Sequence, residues 1–215
     1  MNMQPTIEEI KQAVAWQLAE INQNTVALFD EVKDDELKEN YTLNFFPDEL
    51  PLKITEELGK LANIQKDLFY LDRDKLHITL VGEIDAKSDS QRLIGIVDSW
   101  LSQNNLGFEM NGFASNKSTA SILAYPTFDL HGFRELVRTG MGISGTDYTI
   151  HLSVYEYIGW INFVRYTNLP NEEFLKYLKK GKDIDFGILN TGKIKLLKNK
   201  SRLLKDGKYE IVHEF

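Results

Sequence analysis

Residues 76–84 read Leu-His-Ile-Thr-Leu-Val-Gly-Glu-Ile, and residues 150–158 read Ile-His-Leu-Ser-Val-Tyr-Glu-Tyr-Ile. Both stretches begin with the same pattern: aliphatic, histidine, aliphatic, hydroxyl, aliphatic. Successive side chains of a β-strand point to opposite faces of its sheet. The pattern therefore predicts two related strands, each with an aliphatic row on one face and a histidine with a hydroxyl on the other.

The predicted polar faces carry His77 with Thr79 in the first stretch and His151 with Ser153 in the second, where Tyr155 shares the face. A structural role within a strand would explain either histidine alone. A shared pocket explains both together, if the two strands lie side by side or face each other across a cleft. The sequence therefore predicts a pocket with two imidazoles and two hydroxyls.

Composition narrows the chemistry that such a pocket can perform. The chain has 215 residues, a net charge of -7 and no cysteine. The missing cysteines exclude disulfides, thiolate metal sites and a cysteine nucleophile. The acidic balance argues against binding to long duplex nucleic acid, which needs many Lys and Arg contacts to phosphate, but not against a nucleotide or an RNA end. Without a secretory signal or an apolar run long enough to span a bilayer, the sequence predicts a cytoplasmic protein.

Periodicity predicts helices in the first 40 residues, beginning at a capping box of Thr6 and Glu9, and then a different organisation. The predicted order from residue 41 is strand, helix, His strand, helix, two strands, helix, His strand, strand, helix, two strands. We therefore predict an α+β fold in which residues 1–40 form an N-terminal helical extension. Residues 41–215 form one domain of two similar lobes, each with antiparallel sheet and helices.

The segments His77-Ile78-Thr79-Leu80 and His151-Leu152-Ser153-Val154 resemble the paired His-x-Thr/Ser motifs of the 2H phosphoesterases, the group that contains the LigT-like RNA 2',3'-cyclic phosphodiesterases. The resemblance covers residues 41–197 and implies two lobes around a central cleft. It also implies that the two histidines are the acid/base pair and that Thr79 and Ser153 bind phosphate. It implies nothing for the N-terminal helices.

Displacement at phosphorus needs a base for the attacking oxygen and an acid for the leaving oxygen. Two histidines near their unperturbed pKa can hold these two states together at neutral pH, and hydroxyls can donate to the non-bridging oxygens. We therefore expect a metal-independent phosphoesterase, with no cofactor, that acts on 2',3'-cyclic phosphate ends or 2'-5' linked oligonucleotides. Tyr155 is a candidate for stacking on a base and equally for packing in the cleft wall.

Two alternatives stay open at this point. One is a zinc hydrolase that uses the histidines as ligands, with a third ligand from a carboxylate, His131 or His213. The other is a non-catalytic module that binds a nucleotide or phosphate on the same scaffold.

A cation that assists phosphate binding also has no assignment, and the candidates for it are Lys117, Arg138 and Arg165. Which histidine is the acid, which ester bond breaks and whether the chain self-associates are left open by the sequence.

Overall fold

A computed structural model describes residues 5–6, 8–12, 21–28, 39–143, 154–199 and 209–215, except the side chains of Glu83, Val154 and Tyr155. The described residues form the strands β1 (Asn40–Pro47), β2 (Phe69–Tyr70), β3 (Ile78–Asp85), β4 (Phe108–Ser115), β5 (Thr119–Pro126), β6 (Gly159–Arg165), β7 (Asp185–Leu189), β8 (Gly192–Asn199) and β9 (Tyr209–Glu214). They also form the helices α1 (Leu52–Ile64), α2 (Ser90–Leu101), α3 (Leu130–Gly140) and α4 (Glu172–Lys180), and two 3-10 turns, Arg73–Lys75 and Val154–Tyr157.

All the strands belong to one antiparallel sheet, in the order β7-β4-β5-β6-β3-β1-β8-β9, with β2 paired to β6 beside this path. The two halves of the sheet meet at β3 and β6, which share one register pair, Ile78 with Ile161. The strands β1, β3, β8 and β9 form one lobe, and β4 to β7 form the other. The predicted α+β fold of two lobes is therefore confirmed.

One face of the sheet packs against the helices and forms the main core. Ile78, Leu80 and Ile161 lie on this face with no exposed surface. Helix α1 packs near α4, and α2 near α3. Gly159 permits the close approach of the central strands, because a β-carbon there would lie 2.5 Å from Cγ2 of Ile78. The opposite face of the sheet, which we call the cleft face, carries the side chains that alternate with these.

The first described part of the N-terminal segment lies against the cleft face of the second lobe, whereas Ile21 and Val26 pack in the main core. The capping box forms as predicted: the backbone N–H of Thr6 donates to Glu9 Oε2 at 2.7 Å, and that of Glu9 donates to Thr6 Oγ1 at 3.3 Å. Residues 8–12 are helical, and Ile10 packs against Leu123, Tyr125 and Ile158. None of the helices that the structure describes is long and apolar enough to cross a membrane.

The prediction of a second His strand over residues 150–158 was wrong for its described part. Val154–Tyr157 is a 3-10 turn, and residues 150–153 lie outside the described residues. The strand of the second lobe that pairs with β3 is β6, which begins at Gly159. The carbonyls of Glu156 and Ile158 accept hydrogen bonds from the side chain of Arg134 instead of from a neighbouring strand. The alternation of apolar residues does not show whether a backbone carbonyl is bonded by a neighbouring strand or by a side chain, so the sequence pattern could not predict the turn.

Candidate active site

His77 lies directly before β3, at the junction of the two lobes. Because Ile78 and Leu80 point into the helix-side core, His77 and Thr79 point to the cleft face, as predicted. The Nδ1 atom of His77 lies 2.8 Å from the carbonyl oxygen of Lys75, and its ring lies 5.3 Å from that of Phe46. A carbonyl oxygen only accepts, so the neutral ring carries its proton on Nδ1. Nε2 is then the nitrogen that can accept a proton.

Burial lowers the pKa of His77 below its ordinary value. The bond to the Lys75 carbonyl opposes this effect, while the positive charge of Arg165 adds to it. Both burial and a nearby cation disfavour the imidazolium form. His77 is therefore neutral near pH 7, which is the state that a general base requires.

This lowered pKa predicts that acid destabilises the fold through His77. In the unfolded chain the pKa of His77 is about 6.5, and in the folded chain it is lower. At a pH between these two values the unfolded chain binds more protons than the folded chain, so the free energy of unfolding rises with pH. The contribution is fully present above the unfolded pKa and is lost as the pH falls through the folded one. We expect the free energy of unfolding to fall less between pH 7.5 and pH 5 in His77→Gln than in the parent chain. Urea unfolding at both pH values measures this, and equal losses in the two proteins would contradict it.

Thr79 lies on the cleft face beside Asn44 of β1, its register partner. Asn44 is only 2% exposed, and its Nδ2 donates to Thr42 Oγ1 at 2.9 Å. Among the described residues, no donor reaches Asn44 Oδ1. The Thr79 side chain thus lies on a polar part of the cleft face.

Arg134 of α3 holds the two lobes together where β3 and β6 separate. Its Nε donates to the carbonyl of Leu80 at 2.7 Å, and its Nη2 to that of Thr79 at 3.2 Å. Its Nη1 donates to the carbonyls of Glu156 at 2.8 Å and Ile158 at 3.4 Å. Burial lowers the pKa of this guanidinium to about 10, so it remains charged at neutral pH. One side chain thus satisfies carbonyls on both sides of the lobe junction.

Arg138, one turn further along α3, fixes the 3-10 turn that precedes β6. It forms a two-pronged ion pair with the buried carboxylate of Glu156, at 2.8 and 3.1 Å, and a third bond of 3.0 Å to Glu135. Arg138 therefore has a structural role in place of the suggested phosphate-binding role. Of the other two candidate cations, Lys117 is exposed in the turn between β4 and β5, whereas Arg165 acts electrostatically on His77.

The structure does not describe the second predicted motif. His151 and Ser153 lie outside the described residues, as does the side chain of Tyr155, whose backbone belongs to the turn Val154–Tyr157. The roles proposed for these three residues remain predictions. His131 and His213, the other histidines, stack on Tyr157 and Phe215 with ring centroids 4.6 Å apart in each pair.

Strand β6 brings to the cleft face two residues that the sequence analysis missed. Ile161 is the register partner of Ile78 in the antiparallel pair of β6 and β3, so along β6 Asn162 lies on the His77 side of this pair and Trp160 on the Thr79 side. The hydroxyl of Ser121 on β5 donates to Asn162 Oδ1 at 2.6 Å. Polar and apolar residues alternate around Ile161, which was a usable signal. Only the order of the strands, however, shows that β6 is the neighbour of β3.

Within the described residues, no group of three His, Asp or Glu side chains is placed to hold a metal ion. His77, Thr79 and Asn162 supply an imidazole, a hydroxyl and an amide to one face at the lobe junction. Such groups can exchange a proton and donate to a phosphate oxygen.

Comparisons with known proteins find solved structures that are similar to the structure of this chain. No family model matches the sequence. No curated protein matches it either. The protein TT0787 of Thermus thermophilus is 14% identical, with a TM-score of 0.51, over 82% of this chain and 96% of that one. Apo LigT of E. coli is 13% identical, with a TM-score of 0.47, over 84% of this chain and 98% of that one. LigT complexed with 3'-AMP is 12% identical, with a TM-score of 0.46, over 83% and 96%.

The likeness to TT0787 extends over most of both chains and includes both lobes of the sheet. At this level of identity, it concerns the fold and leaves the chemistry to the residues of the site. The chain therefore shares its α+β fold of two lobes with TT0787, in agreement with the predicted fold class.

Proposed function

We propose that this protein is a metal-independent phosphoesterase that hydrolyses 2',3'-cyclic phosphate ends or 2'-5' linked oligonucleotides. The observation that carries the proposal is the position of His77 in this fold. The imidazole lies on the cleft face at the lobe junction, with Nδ1 bonded to the Lys75 carbonyl and a lowered pKa. A neutral imidazole in that place can serve as a general base.

In the proposed reaction, water attacks phosphorus and a ribose oxygen leaves. One histidine of the pair His77 and His151 takes the proton of the water, and the other gives a proton to the leaving oxygen. Thr79 and Ser153 donate to the non-bridging oxygens, where negative charge is stabilised. The proton balance needs no metal and no further reactant.

The fixed position of Glu156 supports the inclusion of His151. The buried ion pair with Arg138 and the bond from Arg134 hold residue 156 close to the carbonyls of β3. Five residues of chain span at most about 18 Å. The length of chain between residues 151 and 156 is therefore compatible with the proposed role of His151.

A nucleotide is the substrate class that best suits this site. The structures of E. coli LigT include complexes with ATP, with NADP+ and with 3'-AMP. For this chain we propose a short or terminal nucleotide substrate, in agreement with its net charge of -7.

The test is a panel of nucleoside 2',3'-cyclic phosphates and 2'-5' linked dinucleotides, assayed with EDTA present, on the parent chain and on His151→Ala. We expect turnover that resists EDTA in the parent and a loss of about 10²-fold or more in the variant, as is typical for removal of a general acid or base. EDTA-sensitive turnover would overturn the metal-independent mechanism. Full activity of His151→Ala would overturn the role of His151.

A second candidate function, a module that binds nucleotide or phosphate without turnover, is favoured by one observation. Strand β6 carries an amide, that of Asn162, directly after Ile161, the register partner of Ile78 next to His77. An amide can bind phosphate but cannot exchange a proton at neutral pH. Binding of 3'-AMP by the parent chain without hydrolysis of any substrate in the panel would decide in favour of this candidate.

A further inference from the structure

A row of polar side chains crosses the cleft face at the lobe junction. On β5, Thr119 and Ser121 lie on the cleft face. The residues that alternate with them, Ala120 and Ile122, point into the helix-side core. Ser121 is the register partner of Asn162 on β6, and Asn162 directly follows Ile161, the register partner of Ile78 next to His77. The row therefore places the Asn162 amide between a hydroxyl and the imidazole.

Ser121 fixes the orientation of the Asn162 amide. Its Oγ donates to Asn162 Oδ1 at 2.6 Å, and Ser121 is only 6% exposed. The carbonyl end of the amide is therefore directed towards β5. Among the described residues, none accepts a bond from Asn162 Nδ2. The two N–H donors of the amide are thus available on the side away from Ser121, where His77 lies.

The surroundings of this amide are suited to an anion. The charge of Arg165 reaches His77, and burial lowers the pKa of that guanidinium to about 10, which leaves it positive at neutral pH. Thr119, the register partner of Arg165, is 6% exposed, and no described residue bonds its buried Oγ1. A hydroxyl and a cation thus lie on the strands β5 and β6 that carry Ser121 and the Asn162 amide, and the cation acts on His77.

We propose that Asn162, oriented by Ser121, binds a non-bridging oxygen of the phosphoryl group at His77. The proposal rests on the proposed function, because it assigns a further substrate contact at the same site. The amide contributes two N–H donors and no proton transfer, so it binds and positions the phosphoryl group while His77 exchanges the proton. Ser121 is a positioning residue, since it acts only through Asn162.

The test measures binding of inorganic phosphate and the pKa of His77 in Asn162→Asp, with Asn104→Asp as the matched control. Asn104 lies in an exposed turn after α2, where its Nδ2 donates to the Trp100 carbonyl. Asn162→Asp replaces donors with a negative charge, so we expect the Kd for phosphate to rise about 10-fold or more, as for loss of a charged hydrogen bond. The carboxylate should also raise the pKa of His77, measured by NMR titration of its ring protons.

Two further variants keep the proposal testable if Asn162→Asp does not fold. Asn162→Ser shortens the side chain and removes the amide donors, so its phosphate binding should weaken in the same direction. Ser121→Ala leaves the amide in place and releases its orientation, so binding should weaken by a smaller factor. Parent-like phosphate binding in every Asn162 variant that folds would overturn the proposal, as would an unchanged His77 pKa in folded Asn162→Asp.

Hydrolysis assays on the same variants separate this proposal from the proposed function. If the parent chain hydrolyses a substrate and Asn162→Asp does so equally well, the proposed hydrolysis is supported and the proposed role of Asn162 is overturned. If the parent binds phosphate without any turnover and Asn162→Asp binds it more weakly, the phosphate-binding role of Asn162 is supported and the proposed hydrolysis is overturned.

Discussion

Replacement of His77 by glutamine is expected to reduce turnover about 10²–10⁴-fold, the usual contribution of a general acid or base. Glutamine has a similar size and can still donate to the Lys75 carbonyl, so the backbone before β3 should keep its conformation. It cannot exchange a proton at neutral pH, which is the function proposed for Nε2. The measurement is kcat on the best substrate of the cyclic phosphate panel, with thermal unfolding to confirm that the variant is folded.

His213→Ala provides the control for this experiment. His213 lies on β9, three strands away from β3, and stacks on Phe215. Its replacement should leave kcat within about two-fold of the parent, because adjacent strands are about 4.8 Å apart and the ring is far from the lobe junction. Equal activity of His77→Gln and His213→Ala would remove His77 from the mechanism.

Replacement of Arg134 by methionine is expected to lower the free energy of unfolding by about 3–5 kcal/mol. The guanidinium donates to the carbonyls of Thr79 and Leu80 on one side and to those of Glu156 and Ile158 on the other. Methionine fills a similar volume without donors, so buried carbonyls are left unpaired, at about 1–3 kcal/mol for each. Urea unfolding monitored by tryptophan fluorescence measures the loss.

Leu136→Ala, on the outer side of the same helix, is the matched control. Leu136 is 45% exposed, and substitutions at such positions usually change stability by about 0.5 kcal/mol or less. A loss in Arg134→Met no larger than that of Leu136→Ala would show that the lobes do not depend on these bonds. Where the variant still folds, its kcat should also fall, because the lobe junction positions His77.

Much of the fold was predictable because local patterns determined it. The strand and the helix that begin the predicted order after residue 40 both form, as β1 (Asn40–Pro47) and α1 (Leu52–Ile64). Alternation around His77 correctly predicted that His77 and Thr79 share a face opposite to Ile78. In each case the pattern depends on neighbours within a few residues, and the burial of one face follows from it.

The second half of the site shows where such patterns fail. Residues 154–158 alternate well enough to predict a strand, yet a 3-10 turn forms over Val154–Tyr157. The turn is held by the Glu156 ion pair with Arg138 and by the bonds from Arg134, both of which come from a different element. Nothing in the local sequence of residues 154–158 indicates these partners.

The sequence by itself determined the two-lobed α+β organisation and the placement of His77 and Thr79 on one face of a strand, because side-chain alternation and helical periodicity are local properties. Only the tertiary structure decided what lies opposite them. The pairing of β3 with β6 joins residues 83 positions apart, Ile78 and Ile161, and brings Asn162, Ser121 and Arg165 to His77. Such pairings depend on the order of strands across the sheet, which is fixed by packing between distant segments.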